Sequence, residues 1–148
     1  MGENVNYEIY CPYCNFKYSI MYKGFKCSRC GRPLTVRVEV SEDSLKSFKG
    51  RGVWRYKPVL PRFNVSPVTL GEGGTPIVER VVDSVKVYYK LDYLNPTGSF
   101  KDRGSTVAIT RALELNVKRV FEDSSGNTGI SISAYGGIAG LKVKIYTP

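Results

Sequence analysis

An α/β architecture with a small cysteine-rich lobe is what the sequence predicts, on three observations. Four cysteines fall in two C-x2-C pairs, at Cys11, Cys14, Cys27 and Cys30, and no cysteine lies outside them. From residue 85 onward the apolar pattern alternates between strand and helix periodicity in the order β-α-β-α-β. That order favours a parallel sheet with right-handed crossovers. Between the two regions runs a stretch rich in proline and glycine with little periodicity. The expected organisation is a zinc ribbon over 1–40, a linker and wrapping segment over 41–84, and the truncated start of a parallel α/β domain over 85–148.

Composition narrows the chemistry. A chain of 148 residues suits one average domain or two small ones. The formal charge is +9, and the excess is mainly amino-terminal: 11 Lys plus Arg face 5 Asp plus Glu up to Lys57, against 11 and 8 after it. Charge alone leaves an anionic substrate, a nucleic acid or a soluble basic surface open. There is no histidine. Proton transfer therefore falls to lysine, carboxylate, tyrosine or a cofactor, which removes the Ser-His-Asp and Cys-His hydrolase classes. The first residues lack a basic segment followed by an apolar one, and no apolar run approaches the length of a membrane span. A cytoplasmic location is the expected default.

Each cysteine pair can place two thiolates on one tight turn, and the intervening loop can fold back to complete a tetrahedral site. Two disulfides or a redox dithiol are the alternative, which the absence of any secretion signal disfavours. A closed four-thiolate shell would make zinc structural, with no position left for substrate. Tyr18, Ile20, Tyr22 and Phe25 are expected to form a small hairpin around it.

After a short strand ending near Val40, Glu42 to Leu45 can begin one helical turn. Trp54, with Tyr56 and Leu60, is expected to anchor the linker, packing being favoured over an RNA-binding role for the GRGVWRYK stretch. Val85, Val87, Tyr89 and Leu91 alternate as a strand. Ala108, Ile109, Ala112 and Leu113 recur as one face of a helix over 99–115 that Asn116 can end. KRVFED reads as a second strand, GNTGISISAYGGIAG as a helix weakened by Gly129, Gly136 and Gly137, and KVKIYT as a third strand.

Two loops carry candidate chemistry. In NPTGSFKDRG (95–104), Ser99 and Asp102 have the spacing of a capping box, which would make Lys101 the second residue of a helix. An ammonium ion is disfavoured beside a helix amino terminus, and an amine there suits Schiff-base chemistry; a solvated first-turn lysine is the ordinary alternative. In EDSSGNTG (122–129), hydroxyls, an amide and backbone N–H groups gather where a strand becomes a helix. Such a turn suits an anion, or is simply a helix cap. Neither a G-x-G-x-x-G fingerprint nor a Walker loop is present.

NPTGSFKDRG together with SSGNTG, and GEGGTP at 71–76, resembles the threonine synthase family of fold-type-II pyridoxal-phosphate enzymes, some microbial members of which carry an amino-terminal four-cysteine zinc ribbon. The resemblance implies that Lys101 binds pyridoxal phosphate covalently and, once freed by substrate, relays protons between substrate carbons. It implies that Asn127 hydrogen-bonds the cofactor's phenolic oxygen, that Ser125, Asn127 and Thr128 hold the substrate α-carboxylate, and that Ser99 approaches the substrate phosphate. The implied reaction converts O-phosphohomoserine and water to threonine and phosphate, a lyase-type step in amino-acid biosynthesis. Family chains run well over twice this length. The glycine-rich loop for the cofactor phosphate and the hydroxyl residue facing the pyridine nitrogen are missing here, so a fragment inactive by itself is expected. The expected partners are a small phosphorylated amino acid and either a complementary carboxy-terminal chain or a second copy, with neither nucleic acid nor membrane. The alternative class is a non-catalytic zinc-ribbon module that binds nucleic acid or another protein.

Overall fold

The computed structural model describes residues 6–147, which form two compact units: 6–49 with 55–62, and 50–54 with 63–147. No helix among the described residues is long and apolar enough to cross a membrane.

In the first unit, β1 (Tyr7–Tyr10) is the centre of an antiparallel sheet, flanked by β2 (Lys17–Tyr18) and β3 (Thr35–Val38). Tyr7 and Ile9 face inward, as period-two alternation requires. The hairpin is tighter and earlier than the sequence predicts: β1 pairs with β2 across the first cysteine pair, and Phe25 is 75% exposed. A second close approach, the Lys26–Pro33 bridge, spans the second pair. Helix α1 (Glu42–Lys46) is capped by Ser41, whose side chain accepts from Ser44 N. Asn6 secures the 55–62 segment, donating to Leu60 O at 2.9 Å and accepting from Arg62 N at 2.9 Å. Tyr56 packs edge-on against Phe48 in this unit. Trp54 instead belongs to the second unit, so the expected common anchor is divided.

The second unit opens with a hairpin the sequence reading does not anticipate: β4 (Ile77–Val82) pairs antiparallel with β5 (Val85–Lys90). Asp83 and Ser84 both adopt positive φ, at 47° and 63°. A two-residue loop of that kind matches the twist of antiparallel strands, which is why β5 joins β4 and not the later parallel pair. The expected β-α-β-α-β sheet is thus parallel only in its second half. There, β6 (Arg119–Asp123) and β7 (Lys142–Tyr146) pair in parallel, with Val120 opposite Val143.

Helices α2 (Asp102–Glu114) and α3 (Asn127–Ile138) precede β6 and β7 respectively. Both end in the same way. Asn116 (φ 52°) and Gly140 (φ 69°) adopt left-handed backbone, and the N–H groups of Val117 and Leu141 reach back to Ala112 O and Gly136 O. This double closure satisfies carbonyls that a helix end leaves bare. The core joins Ile109, Tyr135 and Val68, with Leu113, Val120 and Ile132 around them. Ala108 is exposed, and Ser105, Thr106 and Thr110 are buried in the positions expected for apolar residues. The reason is the strap over α2: Val68 N–H donates to Thr110 Oγ1 (2.9 Å), Thr106 Oγ1 donates to Val68 O (2.6 Å), and Trp54 Nε1 donates to Thr106 Oγ1 (2.8 Å). A buried segment in no sheet needs partners for its backbone, and threonines one turn apart supply them.

Two of the three glycines of α3, Gly129 and Gly136, have a packing role. A Cβ on Gly136 would lie 2.4 Å from Val143 Cγ2, and one on Gly129 would lie 3.0 Å from Ser124 O. At Gly136 the helix and the strand pair approach too closely for a side chain without a shift, and at Gly129 the contact would be tight, which gives these two glycines a reason that helix propensity does not.

Candidate functional site

Three loop segments meet in the second unit and are tied by buried polar groups. The first is GEGGTP. Gly71, Gly73 and Gly74 have φ of 85°, 86° and 63°, conformations that glycine adopts without a Cβ penalty. They turn Glu72 inward, where it is 1% exposed. Its carboxylate accepts from Leu70 N (2.9 Å), Thr69 Oγ1 (3.0 Å) and Tyr135 Oη (2.7 Å). A buried carboxylate persists only with such a donor set. Burial and the adjacent carboxylate together raise the pKa of the Tyr135 hydroxyl.

The second segment is NPTGSFKDRG. Asn95 accepts from Gly73 N (2.8 Å) and donates to Asp92 O (2.8 Å), fastening this loop to the first. Arg103 makes a two-pronged contact with Asp92, Nε to Oδ2 at 3.1 Å and Nη2 to Oδ1 at 2.8 Å. Thr75 Oγ1 donates to the same carboxylate at 2.6 Å. Arg103 and Thr75 hold the Asp92 carboxyl down to about 2, against partial desolvation.

Lys101 has helical backbone (φ −56°, ψ −28°) but sits at the cap of α2, one residue before its start. The expected capping box does not form. Ser99 Oγ accepts from Lys101 N (3.1 Å), while Asp102 reaches back further, accepting from Thr97 N at 2.8 Å and from Thr97 Oγ1. Asp102 is fully buried, and the glycine at 98 (φ 78°) gives the turn that lets Thr97 approach it. Lys101 is half-buried, with its ammonium 5.1 Å from the centre of the Phe100 ring. Ser99 is buried.

The third segment is SSGNTG. Gly126 is the cap of α3, which begins without a side-chain cap bond, and Ser124 Oγ accepts from Gly126 N at 3.2 Å. An open recess of about 390 Å³ lies here, lined by Ser124, Ser125, Gly126 and Gly129 with Ile130 and Ile145. Of the expected substrate-binding residues, Ser125 lines the recess, while Asn127, Thr128 and Ser99 stand outside its lining, as does the expected cofactor-binding Lys101. What links the lysine loop to this turn is a residue pair that sequence reasoning missed: Ser131 Oγ donates to Asp102 Oδ1 at 2.6 Å and lies 2.7 Å from Ser105 Oγ. Ser131 is one turn after Asn127, and Asp102 directly follows Lys101. The available signal was the acid beside the lysine, read only as a cap. An amine on one loop suits the carbonyl of pyridoxal phosphate, and an uncapped, hydroxyl-rich helix start on another suits the carboxylate of an amino-acid substrate.

In the first unit the four cysteine Sγ atoms lie within 4.8 Å of one another. Cys11 and Cys30 are 3.5 Å apart, Cys14 and Cys27 3.5 Å, and Cys14 and Cys30 3.8 Å. These are far too long for disulfides, and all four are free thiols. Sulfur ligands at about 2.3 Å from a tetrahedral metal would be about 3.8 Å apart, so the cluster can hold a divalent ion. Tyr18 Oη donates to Cys27 Sγ at 3.2 Å and draws that thiol down to about 6, against desolvation and aided by backbone N–H groups of Cys30 and Arg29.

The family model described as pyridoxal-phosphate dependent enzyme matches residues 68–148, the stretch that holds all three loops. The chain belongs to that family. Curated relatives named threonine synthase match as well. Those of Methanosarcina acetivorans, Methanocaldococcus jannaschii and a Synechocystis species are 38%, 43% and 45% identical over 96%, 76% and 63% of this chain. The chain spans only 37%, 29% and 26% of their respective lengths.

Proposed function

We propose that the second unit carries part of a threonine synthase-type site, acting on O-phosphohomoserine with pyridoxal phosphate held by Lys101. The observation that carries this reading is the buried Asp102–Ser131 hydrogen bond, which joins the lysine loop to the helix opened by SSGNTG. When bound, the cofactor supplies an electron sink for charge developing on substrate carbon. The chain's own residues do the rest. Lys101 Nζ holds the cofactor and takes up and returns protons, a role open to lysine in a stretch without histidine. The side-chain amide of Asn127 orients the ring, Ser125, Asn127 and Thr128 bind the α-carboxylate, and Ser99 faces the substrate phosphate. The four cysteines hold structural zinc, since four thiolates leave no open ligand position.

The remaining length of the relatives has no counterpart among these residues, so covalent labelling suits this chain better than turnover. Pyridoxal phosphate trapped with borohydride should label Lys101 ahead of the 11 other lysines, as read by peptide mapping. Label distributed evenly, or unchanged by Lys101→Ala, would sink the assignment.

A further inference from the structure

We propose that the cysteine-rich unit carries a binding face for single-stranded nucleic acid, built from Tyr13, Phe25, Lys26, Arg29 and Arg32. Residues 11–34 contain five Lys or Arg and no Asp or Glu. Four thiolates around a divalent ion carry two negative charges, and the stretch remains cationic after they are counted. Of the five, Lys17 pairs with Glu8 at 2.6 Å, and so does Arg37 outside the stretch, at 2.9 Å. Among the described residues, Lys26, Arg29 and Arg32 form no ion pair; each is instead poised over an aromatic ring. Arg32 lies 4.8 Å from the centre of Tyr13, Lys26 lies 5.4 Å from Phe25, and Arg29 lies 3.9 Å from Phe16.

Tyr13 and Phe25 are 62% and 75% exposed, so most of each ring is open to solvent beside its cation. A ring with a cation at one side and open solvent around it offers a stacking platform for an unpaired base, while the cation is placed for the adjoining phosphate. An exposed ring face needs an unstacked base, which a single strand offers and an intact duplex does not, and this favours single strands. This face is independent of the lysine site, so its failure would leave the proposed reaction untouched.

The test is fluorescence anisotropy of a labelled thymidine oligonucleotide of about 15 residues with the zinc-loaded protein over a salt series. Three cations on phosphates predict a slope of log K against log salt near −2. Arg29→Glu with Arg32→Glu should weaken binding at least about tenfold and flatten that slope. Tyr13→Ala with Phe25→Ala should weaken it about fivefold or more at unchanged slope. Zinc content equal to that of the parent keeps either loss from being one of folding. Absence of binding at low salt overturns the proposal. So does binding of heparin or anionic lipid vesicles as tight as that of the oligonucleotide, with the aromatic variants unaffected.

Discussion

Tyr135 Oη donates a 2.7 Å hydrogen bond to Glu72 Oε2, so a residue of α3 closes the donor set of a carboxylate 63 positions earlier in the chain. Both side chains are essentially sealed from solvent. Tyr135→Phe keeps the ring but leaves that oxygen one donor short, at a cost of about 1–3 kcal/mol. Thermal unfolding should show it as a clear drop in Tm. An unchanged Tm would mean that the carboxylate does not depend on this bond.

The glycines of α3 should respond in opposite directions. Gly136→Ala forces a methyl against Val143 Cγ2, while a Cβ on Gly137 meets nothing within 4 Å. Gly137→Ala should therefore stabilise by up to about 1 kcal/mol through helix propensity, and Gly136→Ala should destabilise. Urea midpoints of the two variants, measured side by side, decide the matter; a gain in both would refute the close contact.

The Asp92–Arg103 pair sets an acid limit. Asp92 has its folded pKa lowered from 3.8 to about 2, so its stabilisation is complete above about pH 4 and is lost as pH falls through the folded value. The carboxylate is about a quarter exposed, and a contribution of about 1–2 kcal/mol is expected after screening. The stability gap between the parent and Arg103→Gln should shrink steadily between about pH 4 and pH 2. A gap that stays constant across that window would assign the effect to packing.

Metal analysis tests the ribbon directly. Protein purified without added metal should carry about one zinc per chain, and Cys27→Ser should lose it. Metal-free protein with an intact first unit would remove the structural role.

Self-association follows from the outer face of the parallel pair. Phe121 is 61% exposed and Tyr146 49%, stacked at 6.3 Å, on a two-stranded sheet whose outer edges have no strand partner among the described residues. Light scattering should show a mass that rises with concentration, and Phe121→Lys should reduce it. A concentration-independent monomer would contradict this.

Legibility in the sequence followed the range of the interactions. The cysteine cluster, α2, α3 and the β6 and β7 strands were visible because spacing and periodicity are local properties. Hidden from that reading was whatever depended on partners far along the chain. Val143 and Ile145 are half-buried beneath α3, where a Cβ on Gly136 would press on the first and one on Gly129 on the second. Thr106 and Thr110 look like surface residues until Val68 is laid across them. Asp102 looks like a helix cap until Ser131, 29 residues on, donates to it. The β4–β5 hairpin escaped notice because Asp-Ser is not the Asn-Gly or Asp-Gly pair that usually signals a tight turn.

The strap at Val68 has one more implication. Its amide belongs to no helix or strand, yet it is buried and bonded to Thr110, whose own hydroxyl donates to Thr106 O within α2. Hydrogen exchange at that single N–H can occur only when the strap lifts or α2 opens. A residue outside all regular structure thus becomes a local gauge of the helix that begins beside Lys101, readable by NMR without any ligand bound.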